Sequence, residues 1–194
     1  MPGRYAPMLL RLLRRPRRSF AELSEHPPGN WLIPIWGFTL VSFAEGYDRI
    51  VSQQTGISSI GAIGLTLLLA LMIGSWTWAF IYGGALHASS LLLGGKPGPG
   101  ATIRAVGYAF FWPGVLAFLS GVVVILTGYR GGQMSAAAMM AALFHVIAGF
   151  WALYLIISAL KVRHSFSWLR AISAYLLPIL ALLIVVLIFL VILK

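Results

Sequence analysis

The sequence predicts an all-α, polytopic integral membrane protein with five transmembrane helices and a cytoplasmic N-terminus, preceded by a short amphipathic interfacial helix. Three observations carry this expectation. Apolar residues make up 60% of the 194 and charged residues only 9%. A soluble domain carries about a quarter charged residues, so most of this surface must be solvated by lipid. The apolar residues gather in runs at roughly 31–47, 57–93, 107–128, 135–160 and 170–193, and a span needs about 20 residues. Finally, the basic residues flank those runs unevenly.

The charge bias sets both topology and orientation. With five crossings and the N-terminus inside, Arg4, Arg11, Arg14, Arg15, Arg17, Arg18, Lys96, Arg104, Lys161, Arg163 and Arg170 share one side, leaving Arg49, Arg130 and Lys194 on the other, 11 against 3. The run 57–93 would make a helix of about 55 Å, against roughly 30 Å of hydrocarbon. Dividing it into two spans would change the balance to 8 against 6, which the positive-inside rule disfavours. Its only breakers are Gly74-Ser75 and Gly83-Gly84, with no proline. One long tilted helix is expected.

Residues 1–29 form a basic amphipathic segment, and 30–194 the five-helix membrane domain. In Met8–Arg15 the leucines and arginines fall on opposite sides of a helix stopped by Pro16. Its leucines are expected to dip into the membrane and its arginines to rest on headgroups. Ser19 and Glu22 have capping-box spacing, and Pro27-Pro28-Gly29 closes a second helical turn. No apolar run of signal-peptide length occurs here, so no cleavage is expected. In the fourth span Ala138, Ala141, His145, Ala148, Gly149 and Ala152 recur at helical spacing, a small-residue face that lets helices approach in lipid. The last span is aliphatic all round and should face lipid, bent at Pro178, where a neighbour can re-satisfy the freed carbonyl.

Most catalytic chemistries are excluded. There is no cysteine, hence no disulfide, thiolate metal site or thiol nucleophile. The four acids, Glu22, Glu25, Glu45 and Asp48, all lie outside the span cores, which argues against proton-coupled transport, cation conduction and carboxylate hydrolysis. The loop LLLGGKPGPG fails as a phosphate-binding loop: Ser90 stands where the first glycine belongs, and Pro97 replaces the hydroxyl residue. It reads as an elbow. His87 and His145 fall at different depths, so neither haem nor metal is expected between them. Together with Ala141 and Gly149 they are assigned to helix packing. The net charge of +10 lies at span ends rather than on a soluble face, so nucleic acid is not an expected partner. Trp31, Trp36, Trp112 and Trp168 suit an interfacial belt. Trp76, Trp78 and Tyr82 lie deeper and suit packing.

The order of PRRSFAEL (16–23), LLLGGKPG (91–98), TIRAVGYAFFWPG (102–114) and KVRHSFSWLRAISAYLLP (161–178) resembles the Yip1 domain family over nearly the whole chain. The resemblance implies a five-span fold with the N-terminus inside and a non-enzymatic part in membrane organisation or traffic. Eukaryotic members contact prenylated Rab-type GTPases and one another. Their long cytosolic N-terminal region has no counterpart in residues 1–29, so GTPase binding is not carried over and a bacterial-type member of the cytoplasmic (inner) membrane is expected, its C-terminus outside. The elbow motif maps to Gly94, Gly95, Gly107, Tyr108 and Pro113. Anionic headgroups are expected at Arg11, Arg14, Arg15, Arg17, Arg18, Lys96, Arg104, Lys161, Arg163 and Arg170. Beyond these lipids, the expected partners are membrane proteins or a second copy of the chain. No cofactor is expected. The rival readings are a small transporter or flippase using the fourth span, and an accessory subunit of a larger bacterial membrane complex.

Overall fold

The computed structural model describes residues 5–25, 31–52, 59–96, 98–127, 129–130 and 133–192. Among them the helices are α1 (Tyr5–Arg14), α2 (Pro16–Glu25), α3 (Leu32–Ser52), α4 (59–92), α5 (Pro99–Thr127), α6 (Ala136–His164) and α7 (Trp168–Ile192). The architecture is all-helical, as expected, apart from one short extended pair. Tyr129–Arg130 and Gln133–Met134 form two-residue antiparallel strands between α5 and α6, with Tyr129 opposite Met134.

Glycine contacts set how the helices cross. Where burial of apolar surface gives no driving force between helices, close backbone approach supplies the dispersion energy. A Cβ on Gly37 would overlap the carbonyl oxygen of Gly107, and one on Gly107 would come within 2.6 Å of Pro34 Cβ. From this crossing α3 and α5 run parallel. Phe38 meets Phe110 with ring centroids 5.8 Å apart, and Phe43 meets Phe118 at 4.7 Å. Helix α4 runs the other way, with Gly74 seated on Ser42 and Gly83 on Ile103. So does α6, which places Ala148 beside Ala117 and His164 beside Thr102. Each long helix therefore reverses the direction of the one before it.

Helix α4 is helical throughout 59–92, as expected of a single long helix. The glycine pairs act not as turns but as neighbours of π-helical stretches, Ala70–Gly74 and Thr77–Tyr82. The amide of Ser75 reaches the carbonyl of Ala70, five residues back, widening the helix where Gly74 meets α3. Such single-turn bulges are the usual way an α-helix absorbs a packing mismatch.

By length and apolarity four helices can cross a membrane: Gly64–Leu92, Pro99–Val123, Met139–His164 and Trp168–Ile192. The expected first span falls short of that measure. Among the residues of α3 whose side chains are described, Ile33–Phe43 is a shorter apolar stretch, and Glu45, Asp48 and Arg49 follow it in the sequence. Its bounds also differ from 31–47, and α5 begins at Pro99 rather than at 107. A proline at the first helical position needs no amide partner and arrives with a helical φ.

The N-terminal helices join the same core. Leu12 is 0% exposed and Phe20 3%, and the Trp112 indole N–H donates to the Leu9 carbonyl at 2.8 Å. The leucines of α1 thus divide: Leu9 and Leu12 turn to protein, while Leu10 and Leu13 remain exposed. The Ser19 capping box does not form. Pro16 starts α2 three residues earlier, so the Ser19 hydroxyl donates to the Arg15 carbonyl at 3.2 Å. Glu22 instead takes Arg11 at 3.3 Å and Arg18 at 3.5 Å.

At the other end of the chain, Ala171 and Ala174 are the buried residues of α7, and none of its apolar window is buried. Pro178 offers no amide to the Ala174 carbonyl four residues back. The Ser89 hydroxyl of α4 donates to that carbonyl at 2.6 Å, so the proline and its repair join two helices.

Three outcomes follow, all read by thermal unfolding in mild detergent. Gly37→Ala is expected to destabilise by roughly 1–3 kcal/mol through overpacking. Gly84→Ala, where a Cβ meets nothing within 4 Å, should be neutral or stabilising by about 0.5–1 kcal/mol. Ser89→Ala should cost about 1 kcal/mol in the wild-type background and much less beside Pro178→Ala, whose amide restores the bond to Ala174.

Candidate functional site

The alternation of helix directions brings one set of ends together: the start of α3, the end of α4, the start of α5, the end of α6 and the start of α7. Two elbows close this end, and both are built the same way. Helix α4 stops with Gly94 at φ +80°, its amide bonded to the Leu91 carbonyl at 2.9 Å and that of Gly95 to Ser90 at 2.8 Å. Helix α6 stops with Ser165 at φ +58°, its amide directed at Val162 at 3.4 Å and that of Phe166 at Lys161 at 2.9 Å. Both are Schellman motifs, which satisfy the last carbonyls of a helix through one left-handed residue. Ser167 then caps α7, its hydroxyl accepting the Arg170 amide at 3.3 Å.

A buried polar chain links the two elbows. The Lys96 amide donates to His164 Nδ1 at 3.0 Å. In the neutral ring this makes Nε2 the protonated nitrogen, and it lies 3.2 Å from Thr102 Oγ1. The threonine hydrogen is then free to reach His87 Nδ1 at 3.0 Å. Three helices and the first elbow are thereby joined by side chains that are all less than 9% exposed. Gly95 permits the approach, since a Cβ there would sit 2.8 Å from His164 Nδ1. His87 thus bonds across helices. Thr102 and His164 are sequence-invisible partners of it: both sit in the quoted motifs, but beside basic residues that drew the reading towards charge.

Around this chain lie cations and aromatics. The Arg17 guanidinium sits 4.5 Å from the centre of the Trp168 ring and Lys161 Nζ 5.5 Å from it. Arg104 lies 5.3 Å over Trp31, and Arg163 passes over Gly98, 3.0 Å from where its Cβ would stand. Lys161 also donates to the Phe166 carbonyl at 3.1 Å. Cation–π contacts of this kind are worth about 0.5–1 kcal/mol at exposed sites. Arg14, Arg15 and Arg170 point outward and are exposed. Glu22 is the one acid whose side chain lies among the described residues at this end.

The remaining sites map differently. Gly94 and Gly95 lie at the first elbow. Gly107, Tyr108 and Pro113 do not: they lie two to four turns inside α5, buried against α3, because the helix starts at Pro99. Gly107 keeps the close-approach role, but towards Pro34 rather than in a turn. Tyr108 is a core residue rather than an interfacial one. Ala141 is buried on α6, whereas a Cβ on Gly149 would meet nothing within 4 Å. His145 lines a partly open cavity with Trp78, Tyr82 and Tyr175.

Apolar helices of membrane-spanning length, alternating in direction around a buried polar chain and ending in basic elbows, define a multi-pass integral membrane protein. The Yip1 domain matches residues 10–190, and the chain belongs to the Yip1 domain family, a family of non-enzymatic membrane proteins. Neither a curated protein nor a solved structure matches the chain.

Thr102→Val keeps the shape of the residue and removes both histidine contacts. Leaving two buried ring nitrogens unpaired should cost about 1–3 kcal/mol, seen as faster amide exchange at Gly95 and Lys96 by mass spectrometry. Thr102→Ser, which keeps the hydroxyl, should exchange close to the wild-type rate.

Proposed function

We propose that this Yip1-family protein organises the membrane around it: its basic end binds anionic lipid headgroups and presents a fixed surface to partner membrane proteins. The observation that carries this reading is the gathering of Arg17 on α2, Lys96 on the first elbow, Arg104 near the start of α5, and Lys161 and Arg163 at the end of α6, with Arg14, Arg15 and Arg170 exposed beside them. Near a membrane surface each lysine or arginine contributes about 1 kcal/mol towards anionic lipid. The aromatic rings hold Arg17, Lys161 and Arg104 in place, so less side-chain entropy is lost when a phosphate arrives. On this reading α3 is the fifth crossing, sheltered by α4 and α5 from lipid. The basic end faces the cytoplasm of a bacterial inner membrane, following the positive-inside rule.

Liposome flotation tests the lipid part. Vesicles with phosphatidylglycerol should bind the detergent-diluted protein more strongly than pure phosphatidylcholine, and 0.5 M salt should remove most of the difference (about one Debye length of 4 Å at that strength). Arg14→Glu/Arg15→Glu, exposed positions away from the core, should abolish the preference for anionic vesicles without changing the melting temperature. Binding indifferent to lipid charge would end this reading. Orientation is read separately in the cysteine-free chain: Lys96→Cys should be labelled by impermeant maleimide only from the cytoplasmic side, and Arg130→Cys only from the other.

A further inference from the structure

About half way along the bundle the helices form a partly open cavity of about 230 Å³, to which each of α3 to α7 contributes wall. Native interiors hold few voids larger than a water molecule, and a cavity of about 150 Å³ already accepts benzene. The wall of α6 is small here: Ala148, Gly149 and Ala152 line the cavity, with Gly149 exposed at its open side. Opposite them stand aromatic rings in mutual contact. Trp78 meets Tyr82 edge-on at 4.8 Å and Phe110 at 5.4 Å. Tyr175 of α7 adds a further ring.

The wall is aromatic but not inert. His145 lines it, and its Nδ1 is enclosed without a hydrogen-bond partner among the described residues. An unpaired group of this kind is costly away from water, so a ligand that reaches it gains by supplying a partner. Trp78 brings an indole N–H, a donor that cannot accept, and Tyr175 a hydroxyl. There is no carboxylate and no lysine or arginine in the wall, so an ionic ligand would lack a counter-charge. Next to His145 and Gly149 on α6, Val146 and Phe150 are exposed apolar residues. A ligand therefore reaches this cavity from hydrocarbon.

We propose that the cavity is a binding site for a lipid-soluble quinone. Its flat ring matches aromatic walls that favour offset or edge-on stacking. Its carbonyl oxygens are acceptors for the N–H of Trp78, the hydroxyl of Tyr175 and a protonated nitrogen of His145. Its tail leaves past Gly149 into lipid. A plain acyl chain or long-chain alcohol would use neither the stacked rings nor the set of donors. The inference concerns binding only, and it stands apart from the headgroup reading: it involves a different part of the molecule and an uncharged ligand.

The test uses the full-length protein in phosphatidylcholine nanodiscs, titrated with decylubiquinone while tryptophan fluorescence is followed. The wild type should show saturable quenching near about one equivalent, as expected of a single site. Gly149→Leu sets a side chain at the open side of the cavity, so it should weaken binding at least about tenfold with the melting temperature unchanged or raised. Trp78→Phe keeps the ring and loses the donor; calorimetry should find binding weakened by about five- to tenfold. Quenching that only rises linearly with probe, or equal affinity in Gly149→Leu, overturns the proposal. Competition by dodecanol at the same concentration as decylubiquinone also overturns it, and would make the cavity an acyl-chain site instead.

Discussion

The crossing of α3 and α5 at Gly37 and Gly107 is the contact on which the bundle is assembled. Lipid is as apolar as leucine, so helices inside it associate through close approach and polar bonds rather than through burial of apolar surface. At this crossing a methyl group on either glycine has nowhere to go. Two consequences follow. Helix α3, with its short apolar stretch, is held as an inner element, and its Phe38 and Phe43 find ring partners on α5. The parallel pair also fixes the height of everything that packs antiparallel to it, which is why the ends of α4 and α6 meet at the start of α5.

A second constraint, that polar groups away from water need partners, explains the placement of the hydroxyl residues. Ser89 repairs the carbonyl freed by Pro178. Thr39 and Ser42 return their hydrogens to carbonyls of their own helix at 2.8 Å. Thr102 serves two histidines at once. Against that background the enclosed Nδ1 of His145 is an exception in the interior, and it falls at the one described cavity to which all five long helices contribute.

Much of this was legible in the sequence, and the reasons differ by element. Composition and run length are additive signals, so the membrane class, the single long α4 and the freed carbonyl before Pro178 could be read directly. The family pattern was also visible, carried by short motifs at the helix ends. Contacts between distant segments could not be read. Thr102 and His164 lie 62 positions apart, and nothing local in either stretch announces the other. The same holds for α1: an amphipathic pattern says that one side avoids water, but not whether lipid or protein covers it. Here Trp112 and the core around Leu12 decide for protein on part of that side. Ser19 misled because a capping-box spacing is only a pattern, and Pro16 is the stronger start signal.

The docking of α1 and α2 also bears on how the basic end works. A free basic tail would bind anionic lipid with all its conformational entropy to lose. Here Arg17 is seated on Trp168, Glu22 holds Arg11 and Arg18, and Trp112 holds Leu9. The N-terminal helices are therefore packed onto the same end as the elbows, and their exposed arginines lie on the same face of the molecule as Arg170. Fixed spacing turns a general electrostatic attraction into a surface with shape. On the proposed reading, that would distinguish a membrane-organising platform from a merely basic tail, since a pattern of charges can be matched only if it is held in place.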